Sequence, residues 1–420
     1  MLRSPRSAVR SCRLRALCCG LIAVVSAASA ETGSWRYDGH VESRYQGLTR
    51  QGMETLSLRQ RLWVNLNRQQ ASWELFAKAG VDLDPERHDF DATLEPRLHE
   101  LYLNLRPVSD LRLSVGRKRI LWGVADGRNT MDLINPSDNR DPLATGRSST
   151  RLASDLVALE WLGAQQSLEL VWLPWAAVDQ QAAFGSPWEP DAVHALREAD
   201  RLGELRLEEA DDPDDSELAL RYSHYGQGLD WYLVYFDGYR DDPLVERLGE
   251  GMLRTGYRRY HAYGAQVALG VGDSTLRLEL AHKPDYPITG GDGRMTRTAR
   301  TQLVVGWDYQ LDATAYLNLQ LYVDRFHDVE ADDEYGEGQY AGLTLGLSDR
   351  YLDDQLTLGV RGMADVVSGE SMTEIYAEYS PVDDWSFQLG HYFIDGPADS
   401  GLGQFADNWL LYAQLTHFFR

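Results

Sequence analysis

Trp409-Leu410-Leu411-Tyr412-Ala413-Gln414-Leu415-Thr416-His417-Phe418-Phe419-Arg420 alternates along its length. Leu411, Ala413, Leu415 and Phe419 share one face of an extended chain; Tyr412, Gln414, Thr416 and Phe418 share the other. A tilted strand crosses the hydrocarbon core of a bilayer in about 9–11 residues, close to the length of this segment. Its aromatics fall at the end, where a membrane strand meets the lipid–water interface. The competing assignment is an amphipathic strand of a soluble β-sandwich.

The same period of two recurs from Trp35 to Phe419. Segments such as Leu56–Leu66, Leu101–Leu105, Leu276–Leu280, Leu303–Trp307, Leu317–Val323 and Ala341–Leu347 put aliphatics on one side and Arg, Asn, Gln, Glu, Thr or Gly on the other. Short turns at 68–71, 107–110, 163–166, 226–228, 272–273, 311–313, 349–354 and 381–384 separate long polar connections at 83–93, 121–150, 176–215, 239–256, 284–300, 327–338 and 395–408. Short on one end and long on the other is the asymmetry of a membrane barrel; a sandwich has no reason to show it. The expected fold is therefore all-β, a transmembrane antiparallel β-barrel of about 18 strands. The segment 151–162 is weak, because Asp155 and Glu160 spoil both faces, and leaves sixteen open.

Composition narrows the setting. Arg3, Arg6, Arg10, Arg13 and Arg15, an apolar run from Ala16 to Val25 and Ala28-Ser29-Ala30 read as a secretory signal over residues 1–30, with the barrel filling 31–420. All three cysteines, Cys12, Cys18 and Cys19, fall inside it, so the mature chain is expected to have no disulfide, thiolate nucleophile or cysteine metal site. Without those five arginines, 36 Lys and Arg face 64 Asp and Glu, a net charge of −28. That argues against nucleic acid as a partner. Mean hydropathy is −0.41, and no apolar run approaches the ~18 residues of a helical span. A barrel needs apolar residues only at every second strand position. The abundance of Tyr (22) and Trp (12) suits interfacial girdles.

One connection is not simple. Residues 187–207 carry Ala192, Val193, Leu196, Ala199 and Leu202 at helical spacing behind Pro190, which predicts a helix packed on the mouth or folded inward as a plug. The acidic runs 208–215 and 328–334 lack an EF-hand pattern and read as solvated loops.

The densest motif is Gly116-Arg-Lys-Arg-Ile-Leu-Trp-Gly123 followed by Asp126, Arg128, Asp132, Ile134-Asn135-Pro136, Asp138, Arg140 and Asp141. Strict alternation from Leu111, Leu113 and Val115 would point Arg117 and Arg119 at lipid, at about 2–4 kcal/mol each in mid-bilayer. Either this part of the strand lies at the rim, or a bulge at Gly116 turns both inward; the bulge is the expectation. The loop's charges either pair internally or fold into the lumen as a charged eyelet. Here the chain resembles a family of porin-like outer-membrane β-barrels of poorly defined function, through Gly116, Arg117, Ile120, Trp122, Gly123, Ile134, Asn135, Pro136 and Asp138. Leu173-Pro174 and Gly185-Ser-Pro-Trp188 fit it too. The last strand likewise resembles that of Gram-negative outer-membrane barrels, with Arg420 after the terminal Phe as a departure. The resemblance implies a channel in the outer membrane of a Gram-negative cell that can partner an inner-membrane transporter; it implies no substrate and no cofactor.

Lumen candidates are the polar partners of the aliphatic positions: Arg59, Arg61, Arg112, Arg117, Arg119, Glu279, Asp308 and Arg361, with the loop residues Trp122, Asp132, Asn135, Pro136 and Asp138. Such charges either pair across strands or bias which ions pass. Arg59, Arg61 and Arg112 are expected to form a local positive field. No nucleophile elbow, zinc-protease motif, P-loop or dinucleotide fingerprint occurs, and the ten histidines are scattered. An enzyme is not expected. The expected function is a channel in outer-membrane lipid passing small polar or anionic solutes; the alternative is a plugged outer-membrane component of an export or envelope-assembly system.

Overall fold

The computed structural model describes residues 34–86, 93–125, 127–143 and 150–420. The expected signal segment and Asp126 lie outside them. The wall begins with β1 (Arg36–Leu48), β2 (Glu54–Gln69), β3 (Trp73–Leu83), β4 (Leu94–Val108), β5 (Leu111–Lys118), β6 (Ser154–Leu162) and β7 (Gln166–Leu173). A helix α1 (Asp191–Leu202) and a short strand β8 (Arg206–Glu208) precede β9 (Glu217–Tyr225) and β10 (Leu229–Tyr239). The hairpin β11 (Leu244–Gly249) and β12 (Met252–Gly256) then leads into β13 (Arg259–Val271), β14 (Ser274–Thr289), β15 (Met295–Gln310) and β16 (Tyr316–Phe326). The wall is completed by β17 (Gln339–Tyr351), β18 (Leu356–Asp365), β19 (Ser371–Val382), β20 (Trp385–Asp395) and β21 (Leu410–Phe419).

Eighteen strands form one sheet, and β21 pairs antiparallel with β1 from Gly39↔Phe419 to Leu48↔Leu410, which closes it. Closure removes both sheet edges, the only way a sheet can satisfy its backbone in lipid. The doubtful strand is present as β6. Its two misplaced acids are each answered from β5: Glu160 by Arg112 at 2.8 Å on the inner face, and Asp155 by Arg117 at 2.8 Å on the other.

The alternation sorts the wall into two faces. Leu58, Leu62 and Leu66, Leu168, Leu170 and Trp172, and Leu276, Leu278 and Leu280 are exposed, while Arg59, Glu169 and Glu279 between them are buried. An aliphatic band this continuous exceeds the few hundred Å² of apolar patch on soluble monomers and is the lipid-facing wall of a transmembrane barrel. On β21, Leu410, Tyr412 and Thr416 are buried, and the Tyr412 hydroxyl donates to Glu374 across the lumen side at 2.6 Å.

The 284–300 connection is shorter than expected. Both strands continue, to Thr289 and from Met295, because a register shift between Lys283 and Tyr286 absorbs the prolines and Tyr286 packs edge-on against Tyr260 and Phe326. At the mouth, β11 and β12 pair antiparallel and β8 joins β12 in parallel. The helix α1 ends where Gly203, at φ 73°, returns its N–H to the last turn. None of its residues is buried, so it lies on the mouth and is not the element that fills the pore.

Candidate functional site: the lumen constriction

Two other segments fill the lumen. The chain between β5 and β6 leaves the wall at Lys118, and Gly116 (φ 130°) has no room for a Cβ, which would stand 2.3 Å from the Leu101 carbonyl. The register runs unbroken through Tyr102↔Gly116↔Leu156 and Leu101↔Arg117↔Asp155. The expected bulge at Gly116 is therefore a correction: Arg117 keeps the outward parity and is neutralised by Asp155, while the register shifts lie at Lys78/Ala79 and Leu105/Val108. Arg119 donates its backbone N–H to Glu100.

The inward loop is held by a few side chains. Asn135, fully buried, accepts from the Ile120 N–H at 2.9 Å and donates to the Leu152 carbonyl at 2.7 Å, clamping the two ends of the loop together. The Pro136 carbonyl adds a bond from the Leu152 N–H. Trp122 donates to Glu169 at 3.0 Å, and Asp132 meets Arg151 at 3.1 Å. At the tip, Glu279 from the wall accepts the N–H groups of Val124, Ala125 and Thr130 and the Thr130 hydroxyl, at 2.6, 2.8, 3.0 and 3.0 Å. Gln320 accepts from Gly127 and Arg128. Arg277, paired with Asp308, donates to the Val124 carbonyl. The apolar side of the loop, Ile120, Trp122, Met131, Leu133 and Ile134, packs on Ala158, Val171, Ala219, Val234, Phe236, Ala262 and Ala281. Small residues at inner positions are its footprint; a Cβ on Gly264 would stand 2.1 Å from the Met131 sulfur.

The segment after β7 forms the second filling. Trp188 is buried among Leu48, Leu56, Leu143, Tyr392 and Leu410. The segments interlock where Gln180 donates to the Ser137 carbonyl and accepts from the Asn139 N–H. Asp179 accepts from the Ser137 N–H at 2.5 Å, and its own N–H donates to the Asp241 carbonyl. Burial pushes the Asp179 carboxyl up to about 6, opposed by the Ser137 N–H and helped by Asp242. Burial, then Asp179, raises Asp241 well above the usual carboxylate range. Arg151, Glu217 and Asp242 are the other charges facing the pair. A carboxyl raised in the folded state contributes stability that is full below its unfolded value and is lost as pH rises through the folded one. The interlock is therefore expected to loosen between pH 4 and about 6. Amide exchange of 137–140, corrected for intrinsic rates, should be slower at pH 5 than at pH 7.5, and replacing both Asp179 and Asp241 with Asn should abolish the difference.

The arginines expected to form a positive field each meet a carboxylate. Arg59 is buried against Asp141 at 2.8 Å, with Arg44 beside it, and its side chain is only 2% exposed. Arg61 lies between Asp82 at 2.8 Å and Glu42 at 3.7 Å. Asp82 also holds Arg97, which reaches Asp138, and Asp138 holds Arg140. Burial raises the Asp138 carboxyl, but the hydrogen bonds and charge of Arg140, then Arg97, outweigh it and hold it near 2. These arginines pin the loop to β1–β4. Arg112 is distant, with Glu160.

A cavity of about 670 Å³ remains between the loop and β16–β20. Arg128, Arg151 and Arg361 line it. Each has a carboxylate behind it: Asp324, Asp132 and Glu374. The arginines are 32%, 23% and 40% exposed; the acids are 3%, 1% and 1%. The pairs are neutral in sum, but only the guanidinium ends meet the water. Arg361 was legible from strand parity. Gln320 shares that legibility, and Arg128 was among the loop charges that could fold into the lumen; Arg151 and Asn129 were not legible, although the run of inner alanines could have flagged an inward loop.

No protein-family model matches the sequence, and no curated protein sequence matches it. Among solved structures, the chain is similar to OprD of Pseudomonas aeruginosa, with TM-score 0.55 at 12% identity over 93% of this chain and 97% of that one. OccK1 (OpdK) of the same organism gives 0.55 at 10% over 92% and 98%, and OccD3 (OpdP) 0.54 at 10% over 92% and 91%. What the chain shares with them is the barrel fold. At these identities the likeness is one of fold, and the lumen has to be read from its own residues.

Proposed function

We propose that this protein is a channel in the outer membrane of a Gram-negative cell, exported by a signal over residues 1–30, that passes small polar solutes and favours anions. One observation carries the anion preference: Arg128, Arg151 and Arg361 face the open cavity while their carboxylates are buried behind them. Fixed charges at a water-filled constriction between low-dielectric walls bias which ions pass. The negative charge of the chain as a whole matters less there, since exposed charge is screened within about 10 Å at 0.1 M salt. The porin-like fold supports the channel reading, and the motif resemblance adds an inner-membrane transporter as partner.

Purified protein in planar bilayers should give discrete conductance steps, with a reversal potential on the anion side in a KCl gradient. A folded barrel that stays silent with its loops intact would remove the open-channel reading. It would favour the second one, an export or assembly component closed by itself, which the interlock at Ser137 and Gln180 supports. In that case conductance should appear only when the loop is released.

A further inference from the structure

Toward β13–β15 a second cavity, of about 190 Å³, lies behind the constriction loop. Asn129, Ser137 and Arg151 line both cavities. On the wall side, Lys283 and Arg300 stand directly opposite each other across β14 and β15, a like-charge pair that is unfavourable by itself. Arg300 is answered by Asp324 at 2.9 and 2.6 Å. Lys283 is not answered. It is 6% exposed, and among the described residues no carboxylate or acceptor lies within bonding distance of its ammonium; its near neighbours are the rings of Tyr260 and Tyr286. The loop side carries the opposite imbalance. Asp242 is taken by Arg240 and Asp132 by Arg151, but Asp179 and Asp241, which line the same cavity, have no cation at ion-pairing distance among the described residues.

The cavity thus has one ammonium without a carboxylate partner on one wall and, on another, two carboxyls without a cation partner, of which Asp179 accepts from the Ser137 N–H and the Asn139 amide. A buried charge is costly unless paired. A simple anion would satisfy Lys283 and leave the acids facing each other; a simple cation would do the reverse. The geometry points to a binding site for a small zwitterion, whose carboxylate meets Lys283 and whose ammonium meets Asp179 and Asp241. The volume suits a ligand of amino-acid size and is below the range of drug-sized pockets, about 300–1,000 Å³. As a substrate class, this rests on the channel reading; the binding itself does not.

The test is calorimetric titration of the full-length folded barrel in detergent micelles. The probes are glycine, β-alanine, 4-aminobutyrate and 6-aminohexanoate, with acetate and methylammonium as single-charge controls. At least one amino acid should bind about tenfold or more tightly than either control, and Lys283→Met and Asp241→Asn should each weaken it by about tenfold or more. Heat-modifiable mobility reports folding, and Asp179→Asn takes the place of a variant that fails to fold. Amino acids that bind no better than acetate, or a folded Lys283→Met with unchanged affinity, would overturn the inference and leave Lys283 to bound water. Conductance is read separately. A barrel that conducts without binding sinks this site alone; one that binds without conducting sinks the channel reading alone.

Discussion

Replacing Glu279 with Ala should raise single-channel conductance at least about twofold and increase its noise, because an unpinned loop widens and fluctuates at the constriction. Glu279 is completely buried and accepts four hydrogen bonds from the tip of the inward loop. A buried donor left without its acceptor costs about 1–3 kcal/mol. Water entering behind the loop can rescue some of the four donors, so a net loss of about 3 kcal/mol is reasonable, a factor of about a hundred in the docked population. Arg277, Asp308 and Gln320 still hold part of the loop, so the barrel itself should fold and show heat-modifiable mobility. Glu279→Gln keeps acceptor capacity at one oxygen and should fall between. Unchanged conductance in Glu279→Ala would mean that the loop does not set the pore.

The second large effect concerns charge. Replacing Arg128 and Arg361 with Gln removes two half-exposed guanidiniums and leaves Asp324 and Glu374 behind. A unit charge about 8 Å from a passing ion acts with about 2 kcal/mol at an effective dielectric of 20. The reversal potential in a tenfold KCl gradient should move toward cations by tens of millivolts, within the limit of about 59 mV for a monovalent ion. Arg59→Gln and Arg61→Gln should leave it nearly unchanged. Arg59 cannot reach the passage, and its loss leaves Asp141 buried without its closest cation, an effect on stability of about 3–5 kcal/mol. If the Arg59 variant shifts selectivity and the Arg128 and Arg361 variant does not, the assignment of the passage is wrong.

The difference between these two sets of arginines marks how far the sequence reaches. All of them occupy inner positions or the motif loop, and parity is readable because a strand has a strict period of two. Parity says which side of the wall a residue faces. It does not say whether a carboxylate from a loop distant in sequence covers it, as Asp141 covers Arg59. Arg117 shows the same limit: the sequence placed it in a conflict between charge and lipid, and the resolution, Asp155 on the neighbouring strand, required the register of β5 against β6.

What the sequence by itself determined is the barrel: about eighteen strands with sixteen left open, their faces, the alternation of short and long connections, and a helix in the connection after β7. These follow from local periodicity and from the backbone's need to pair in lipid. What only the tertiary structure decided is the pore. The loop that enters, the Asn135 clamp, the Glu279 anchor and the unmatched charges around Lys283 depend on contacts between residues up to 196 positions apart. No local pattern encodes those contacts, because a loop's path is set by where its few polar and apolar groups find partners on a wall that exists only once the barrel has closed.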